Sequence, residues 1–229
     1  MRKLNIIGAT ALLALSMSAQ SADIYFGEDL NPGVSSANSA AANTDFLSHL
    51  TGVGTEDFES YSAGQSVPFN SNFTGAGTAT FSGSGEILNT PGAGRFATSG
   101  SQFLETRNGF QIDFTTAISA FGFFGTDIGD FNGQITLDFL SGGSTQYIVQ
   151  NTIGANNGSL LYWGIIDVLN PFTRITFGNT NTNDVFGFDD MTIGTIAQVN
   201  SVPVPAALFM FAPALLGFFG LRRKVNKAA

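Results

Sequence analysis

The stretch Gln134-Ile135-Thr136-Leu137-Asp138-Phe139-Leu140 decides how the chain is read, because apolar and polar residues alternate along it. A period of two sends Ile135, Leu137 and Phe139 to one face of a strand and Thr136 and Asp138 to the other. Ser141-Gly142-Gly143-Ser144 then supplies turn residues, and Thr145–Val149 is expected to return as the second arm of a hairpin. Antiparallel strands with one apolar face must bury that face against another layer.

Working outward, the same pattern predicts strands near 56–61, 78–82, 160–168, 172–177 and 186–193. Residues 117–124 are apolar nearly throughout and predict a central strand. The stretches 102–105 and 110–114 flank Asn108-Gly109, a strong hairpin signal. Ahead of them, 31–43 is rich in Ser, Ala and Asn and reads as loop. Thr44–Leu50 is a candidate short helix with Phe46, Leu47 and Leu50 on one face. The expected fold is mostly β: one antiparallel β-sandwich of jelly-roll or lectin-like type over 56–196, with 23–55 as an N-terminal extension carrying the short helix. An immunoglobulin-like sandwich is the alternative, although the body is long for one such domain.

Composition agrees with this reading. The 23 Phe supply a core, and 28 Gly with many Ser, Thr and Asn supply turns. There is no cysteine, which excludes disulfides and thiolate metal sites.

Both ends carry targeting patterns. Arg2 and Lys3 precede an apolar run to about Leu15, and small residues follow at Ser16, Ser18, Ala19, Ser21 and Ala22. This is the layout of a secretory signal peptide over 1–22, with cleavage expected between Ala19 and Ala22. At the other end, twenty uncharged residues from Val202 to Leu221 lead into Arg222-Arg223-Lys224. An apolar run of ~20 residues suits a membrane-spanning helix, placed over 204–221, and the basic cluster holds its end in the cytoplasm.

Those signals take six of the nine Lys and Arg. The body from Asp23 to Asn200 keeps only Arg95, Arg107 and Arg174 against all seventeen Asp and Glu, a net charge of −14. A surface so acidic repels phosphate backbones, so no nucleic-acid partner is expected.

At the C-terminal residues the chain resembles a known family. Val202-Pro203-Val204-Pro205, the span and the Arg222-Arg223-Lys224 end are similar to the PEP-CTERM sorting signal of Gram-negative bacteria, with Val204 where the usual motif has Glu. The resemblance implies an exosortase as processing partner for a tail over 197–229. It also implies passage through the inner membrane to the cell surface or extracellular matrix. The runs Asp57-Phe58-Glu59, 121–130 and Phe186-Gly187-Phe188-Asp189-Asp190-Met191 resemble the bodies of extracellular proteins that carry such tails.

Candidate chemistry gathers on the last strand. On a regular strand Asp189 and Asp190 face opposite ways, so one of them meets the apolar side, where an unpaired charge is costly. Carbohydrate-binding jelly rolls often hold a structural calcium between an early and a late strand. That resemblance implies Glu59 with Asp189 or Asp190 as ligands, and Asp57 and backbone carbonyls as further oxygens. The Gly-rich loop 127–133, with Asp127, Asp130 and Asn132, lacks the EF-hand spacing and is explained by turn chemistry. Tyr162 and Trp163 are candidate sugar-stacking rings. They point to opposite faces of one strand, so at most one stands on the exposed side.

No catalytic residue is assigned. His49 is the sole histidine, which excludes His-rich zinc sites, and it is expected to be a surface or packing residue. Two carboxylates alone can hydrolyse a glycoside, so a polysaccharide-acting hydrolase stays open as the alternative. The expected function is an exported envelope or matrix protein, not an enzyme, whose sandwich has a structural role or contacts glycan or protein.

Overall fold

A computed structural model describes residues 22–33, 35–128, 133–150, 159–178 and 184–200. The signal-peptide and sorting-tail stretches, and the 129–132 part of the acidic loop, lie outside the described residues. Among the described residues no helix is long and apolar enough to cross a membrane.

The regular structure of the described chain is mostly antiparallel β. In order it forms β1 (Asp23–Asp29), α1 (Ala37–Ser48), β2 (Thr55–Glu56), β3 (Phe69–Phe73), β4 (Gly77–Ser82), β5 (Gly85–Leu88) and β6 (Phe103–Arg107). Then come β7 (Gln111–Ile118), β8 (Ala120–Thr126), β9 (Gln134–Phe139), β10 (Ser144–Ile148), β11 (Leu160–Ile166), β12 (Phe172–Gly178) and β13 (Val185–Gly194), closed by a 3-10 turn over Ile196–Gln198. One sheet runs β1-β11-β8-β13-β6-β5, with β2 pairing β13 beyond β6. The other runs β10-β9-β12-β7-β4-β3. Strands β6 to β13 are shared between the sheets in the orders β6-β13-β8-β11 and β7-β12-β9-β10, which is jelly-roll wrapping.

The hairpin read from 134–149 is present. β9 and β10 pair with Thr136 opposite Gln146, and the turn closes through Phe139 N–H to Gly143 O at 3.0 Å. Gly142 and Gly143 adopt φ of 88° and 81°, conformations that Gly takes without a Cβ penalty.

The Asn108-Gly109 turn differs from expectation. It joins β6 in one sheet to β7 in the other and so makes a corner between layers, not a hairpin. Residues 117–124 likewise change sheets at Ser119, whose N–H and C=O bond Gly194 and Asp167. The strand expected over 56–61 is only Thr55–Glu56, because Phe58 takes φ 59° and turns the chain, burying its ring in the core.

Residues 23–55 are not an extension. β1 pairs β11 along its whole length, from Asp23 opposite Ile166 to Asp29 opposite Leu160, and α1 begins seven residues before the expected helix. The beginning of α1 is tied back to β1. Asp29 accepts from Ser39 N–H and Oγ at 2.8 and 2.7 Å and from Asn38 N–H at 3.1 Å. Burial alone would raise the Asp29 carboxyl, but these donors hold it below the ordinary carboxylate range.

The core lies between the sheets and is built of stacked and edge-on Phe rings. Phe188 packs Phe123 at 4.9 Å and Phe177 at 5.5 Å between centroids, and Phe58 packs Phe81 at 5.7 Å. Burial of each such ring contributes ~1.5–3 kcal/mol.

Candidate functional site

The outer faces of the two sheets differ, and that difference locates the candidate site. Over the seven-stranded sheet, α1 covers β1, β11 and part of β8. Phe46 of α1 packs Tyr25 at 5.5 Å and Tyr162 at 5.8 Å. The sheet makes room for these rings with glycines. A Cβ on Gly164 would lie 2.9 Å from the Phe46 ring, and one on Gly122 would fall on the Tyr162 hydroxyl. Tyr162 is therefore fully buried beneath the helix, and Trp163, on the opposite face, is fully buried in the sandwich core. The opposite-face reading is right, but neither ring is available to stack on a sugar.

The rest of this outer face is crossed by the segment 95–102. Arg95 bonds Glu105 at 2.7 Å and Asp127 at 3.1 Å, with its side chain largely buried. Burial works against its charge, yet the two carboxylates hold its proton more tightly than usual. Further along, Asp189 Oδ2 accepts from Thr98 N–H at 2.6 Å and from Ser99 N–H at 3.3 Å. The Thr98 hydroxyl lies 3.0 Å from Asp189 and 2.8 Å from Asp190, and the Ser99 hydroxyl donates to Asp190 at 2.7 Å. From the other side, Glu59 accepts Ser101 N–H at 2.7 Å and Gln102 N–H at 2.6 Å. Those two amides draw the Glu59 carboxyl below its ordinary range.

The aspartate pair escapes the face conflict through the backbone. Asp190 takes φ 47°, and the pairing of β13 with β8 shifts register between Asp189 and Thr192. This bulge resets the alternation, so Phe188, Met191 and Ile193 all reach the core while both carboxylates meet Thr98 and Ser99. Asp189 is only 1% exposed. Burial first, and the neighbouring Asp190 second, push its carboxyl up to about 7 despite the donors from Thr98.

Among the described residues no three His, Asp or Glu form a group able to hold a metal ion. Glu59, Asp189 and Asp190 instead act as separate clasps on one segment, and Asp57 accepts Glu59 N–H at 3.1 Å within its own turn. His49 is a packing residue at the end of α1, its ring 5.4 Å from Tyr25 and 3.6 Å from Asp45.

The six-stranded sheet is the opposite case. None of its strands packs against α1, and its outer face is formed by the polar half of each alternation. Register aligns these residues in rows across the strands. One row reads Asn70, Thr80, Asp113, Arg174, Asp138, Ser144; another reads Gln111, Thr176, Thr136, Gln146. Thr80 donates to Asn70 at 2.8 Å, and Arg174 bonds Asp113 at 2.6 Å with both side chains partly exposed. These rows carry hydroxyls, amides and carboxylates on a rigid sheet, with no aromatic ring among them. The alternation points to their outward direction, and among the described residues neither α1 nor the 95–102 segment lies over this face.

No family model and no curated protein matches the sequence. Among solved structures, the chain is similar to the C-terminal family 22 carbohydrate binding module of Clostridium thermocellum Xyn10B. Identity is 18% and the TM-score 0.38, over 65% of this chain and 97% of that one. It is also similar to the K2 cleaved adhesin domain of Lys-gingipain, at 15% identity and TM-score 0.40, over 62% and 98% of the two chains. A DUF4465 family protein from Bacteroides ovatus aligns over 76% of this chain and 99% of its own, at 9% identity and TM-score 0.32.

Proposed function

We propose that this is an exported envelope or matrix protein whose sandwich contacts extracellular polysaccharide through the outer face of the six-stranded sheet. The observation that carries the reading is that face itself: rows of Asn, Gln, Thr, Ser and Asp, uncovered by α1 or 95–102, on strands whose other side is locked into a Phe core. Hydroxyls, amides and carboxylates both donate to and accept from sugar hydroxyls. A preformed sheet orders little on binding, so less of the contact energy is lost to entropy. Arg174 is matched by Asp113 within the face, and the body is strongly acidic, so an uncharged glycan suits it better than an anionic one.

In the same reading the tail delivers the domain. Val202, Pro203, Val204 and Pro205 with Arg222, Arg223 and Lys224 form the exosortase signal, and the 204–221 helix holds the precursor in the membrane until processing. The hydrolase alternative has no comparable support, since the adjacent carboxylates Asp189 and Asp190 are engaged by Thr98 and Ser99.

Co-sedimentation with extracellular polysaccharide, with calcium and again with chelator, tests the binding role. Binding in both conditions is expected, and binding that vanishes in chelator would point to a calcium site. Release of reducing sugar would move the protein to the hydrolases. The intact mass of the native product should show both termini removed, and a mature surface form keeping its tail would overturn exosortase processing.

A further inference from the structure

Three of the most exposed aliphatic side chains stand at one end of the sandwich. Leu140 lies in the β9–β10 turn, Leu169 in the β11–β12 turn and Ile196 in the closing 3-10 turn, at 65%, 56% and 57% exposure. Backbone bonds tie these turns together. Leu140 N–H donates to Pro171 O at 2.9 Å, Asp167 N–H to Ser119 O at 2.8 Å, and Ser119 N–H to Gly194 O at 2.8 Å, two residues before Ile196. Leu30 and Ile148, also exposed, belong to the other end, where Asp29 pairs Leu160 and Ile148 pairs Gln134.

The Leu140–Leu169–Ile196 end is also where the chain leaves the sandwich for its tail, and it is held there without slack. Val199 bridges Leu50, Asn200 N–H donates to His49 O at 2.8 Å, and Thr51 Oγ1 donates to Asn200 Oδ1 at 2.6 Å. Residues 201–203 are all that separate this fixed point from the apolar run beginning at Val204. Fully extended chain covers ~3.3–3.6 Å per residue, so the run starts within ~14 Å of Asn200. The polar layer on each side of the hydrocarbon core is itself only ~5–7 Å deep.

We infer that, in the membrane-held precursor, this end of the sandwich sits on the bilayer, with Leu140, Leu169 and Ile196 in the headgroup layer. The inference rests on the proposed membrane span. Its partner is a lipid surface: exposed aliphatics in a short-tethered end gain by leaving water at the headgroup boundary. Seated so, the strands rise away from the membrane and the polar sheet face looks sideways, clear of the lipid.

The chain has no cysteine, so single spin labels can be placed cleanly. Leu140→Cys, Leu169→Cys, Ile196→Cys and, as the opposite-end control, Leu30→Cys are labelled in the full chain and reconstituted into phosphatidylcholine vesicles. Collision with a water-soluble nickel chelate is expected to be severalfold lower at 140, 169 and 196 than at 30. Equal collision at all four in a chain that floats with the vesicles would overturn the seat and leave the span intact. A chain that does not float with the vesicles would remove the span, and the seat with it.

Discussion

The two sheets of this sandwich share a Phe core but treat their outer faces in opposite ways. The seven-stranded sheet is covered by α1 and by 95–102, and its Glu105, Asp127, Asp189 and Asp190 carboxylates are bound within the protein. Among the described residues, neither α1 nor 95–102 covers the polar rows of the six-stranded sheet. The contrast separates two tasks: the covered face carries stability, and the open face is free to carry recognition. Substitutions on the two faces should therefore act on different observables.

The largest effect is expected from Phe46→Ala, which removes the ring holding α1 to the sheet. Loss of a fully buried Phe costs ~3–5 kcal/mol. Chemical denaturation should show that loss, and a change under 1 kcal/mol would mean that the helix contributes little.

Next comes the pH dependence of the aspartate clasp. The Asp189 carboxyl is raised from 3.8 to about 7 by burial and by Asp190. The unfolded chain thus gives up this proton before the folded one does. This group should cost the fold nothing below pH 4, progressively more as pH rises to 7, and a constant amount above, on the order of 4 kcal/mol in total. Asp189→Asn keeps an acceptor for Thr98 while removing the charge. It should raise the melting temperature at pH 8 and flatten the profile between pH 4 and 7; an unchanged profile would show that Asp189 does not titrate there.

A smaller loss, ~1–3 kcal/mol, is expected for Gly122→Ala, whose Cβ would displace Tyr162 and tilt the helix above it. Smallest of all are Thr136→Ala and Thr176→Ala on the open face, each within ~0.5 kcal/mol of wild type in stability. Their effect should appear in polysaccharide affinity instead.

Much of this layout was legible. Alternation in 134–140 and the Gly pair at 142–143 located a true hairpin, and the same rule turned Thr136 outward. What failed was whatever depended on a second layer. Asn108-Gly109 announces a tight turn, but turn chemistry is local and does not say whether the next strand joins the same sheet. One of Tyr162 and Trp163 was expected on the exposed side, but the cover over Tyr162, α1, opens with Ala, Asn and Ser. Those small residues lack an apolar stripe because they lie close to glycine-bearing backbone: a Cβ on Gly27 would strike the Asn38 carbonyl. The face conflict at Asp189-Asp190 was real, but a bulge and the Thr98 and Ser99 donors resolve it, where resemblance had suggested a cation. Glu59 reaches the same segment as the two aspartates, accepting the Ser101 and Gln102 amides.

The most direct test compares wild type with a variant carrying Gln111→Ala, Thr136→Ala, Gln146→Ala and Thr176→Ala, four neighbours in one row of the open face. Both are co-sedimented with the same extracellular polysaccharide, and their melting temperatures are recorded alongside. Wild type should pellet with the polysaccharide while the variant stays in solution with its melting temperature unchanged. A variant that pellets as well as wild type would contradict recognition by the open face.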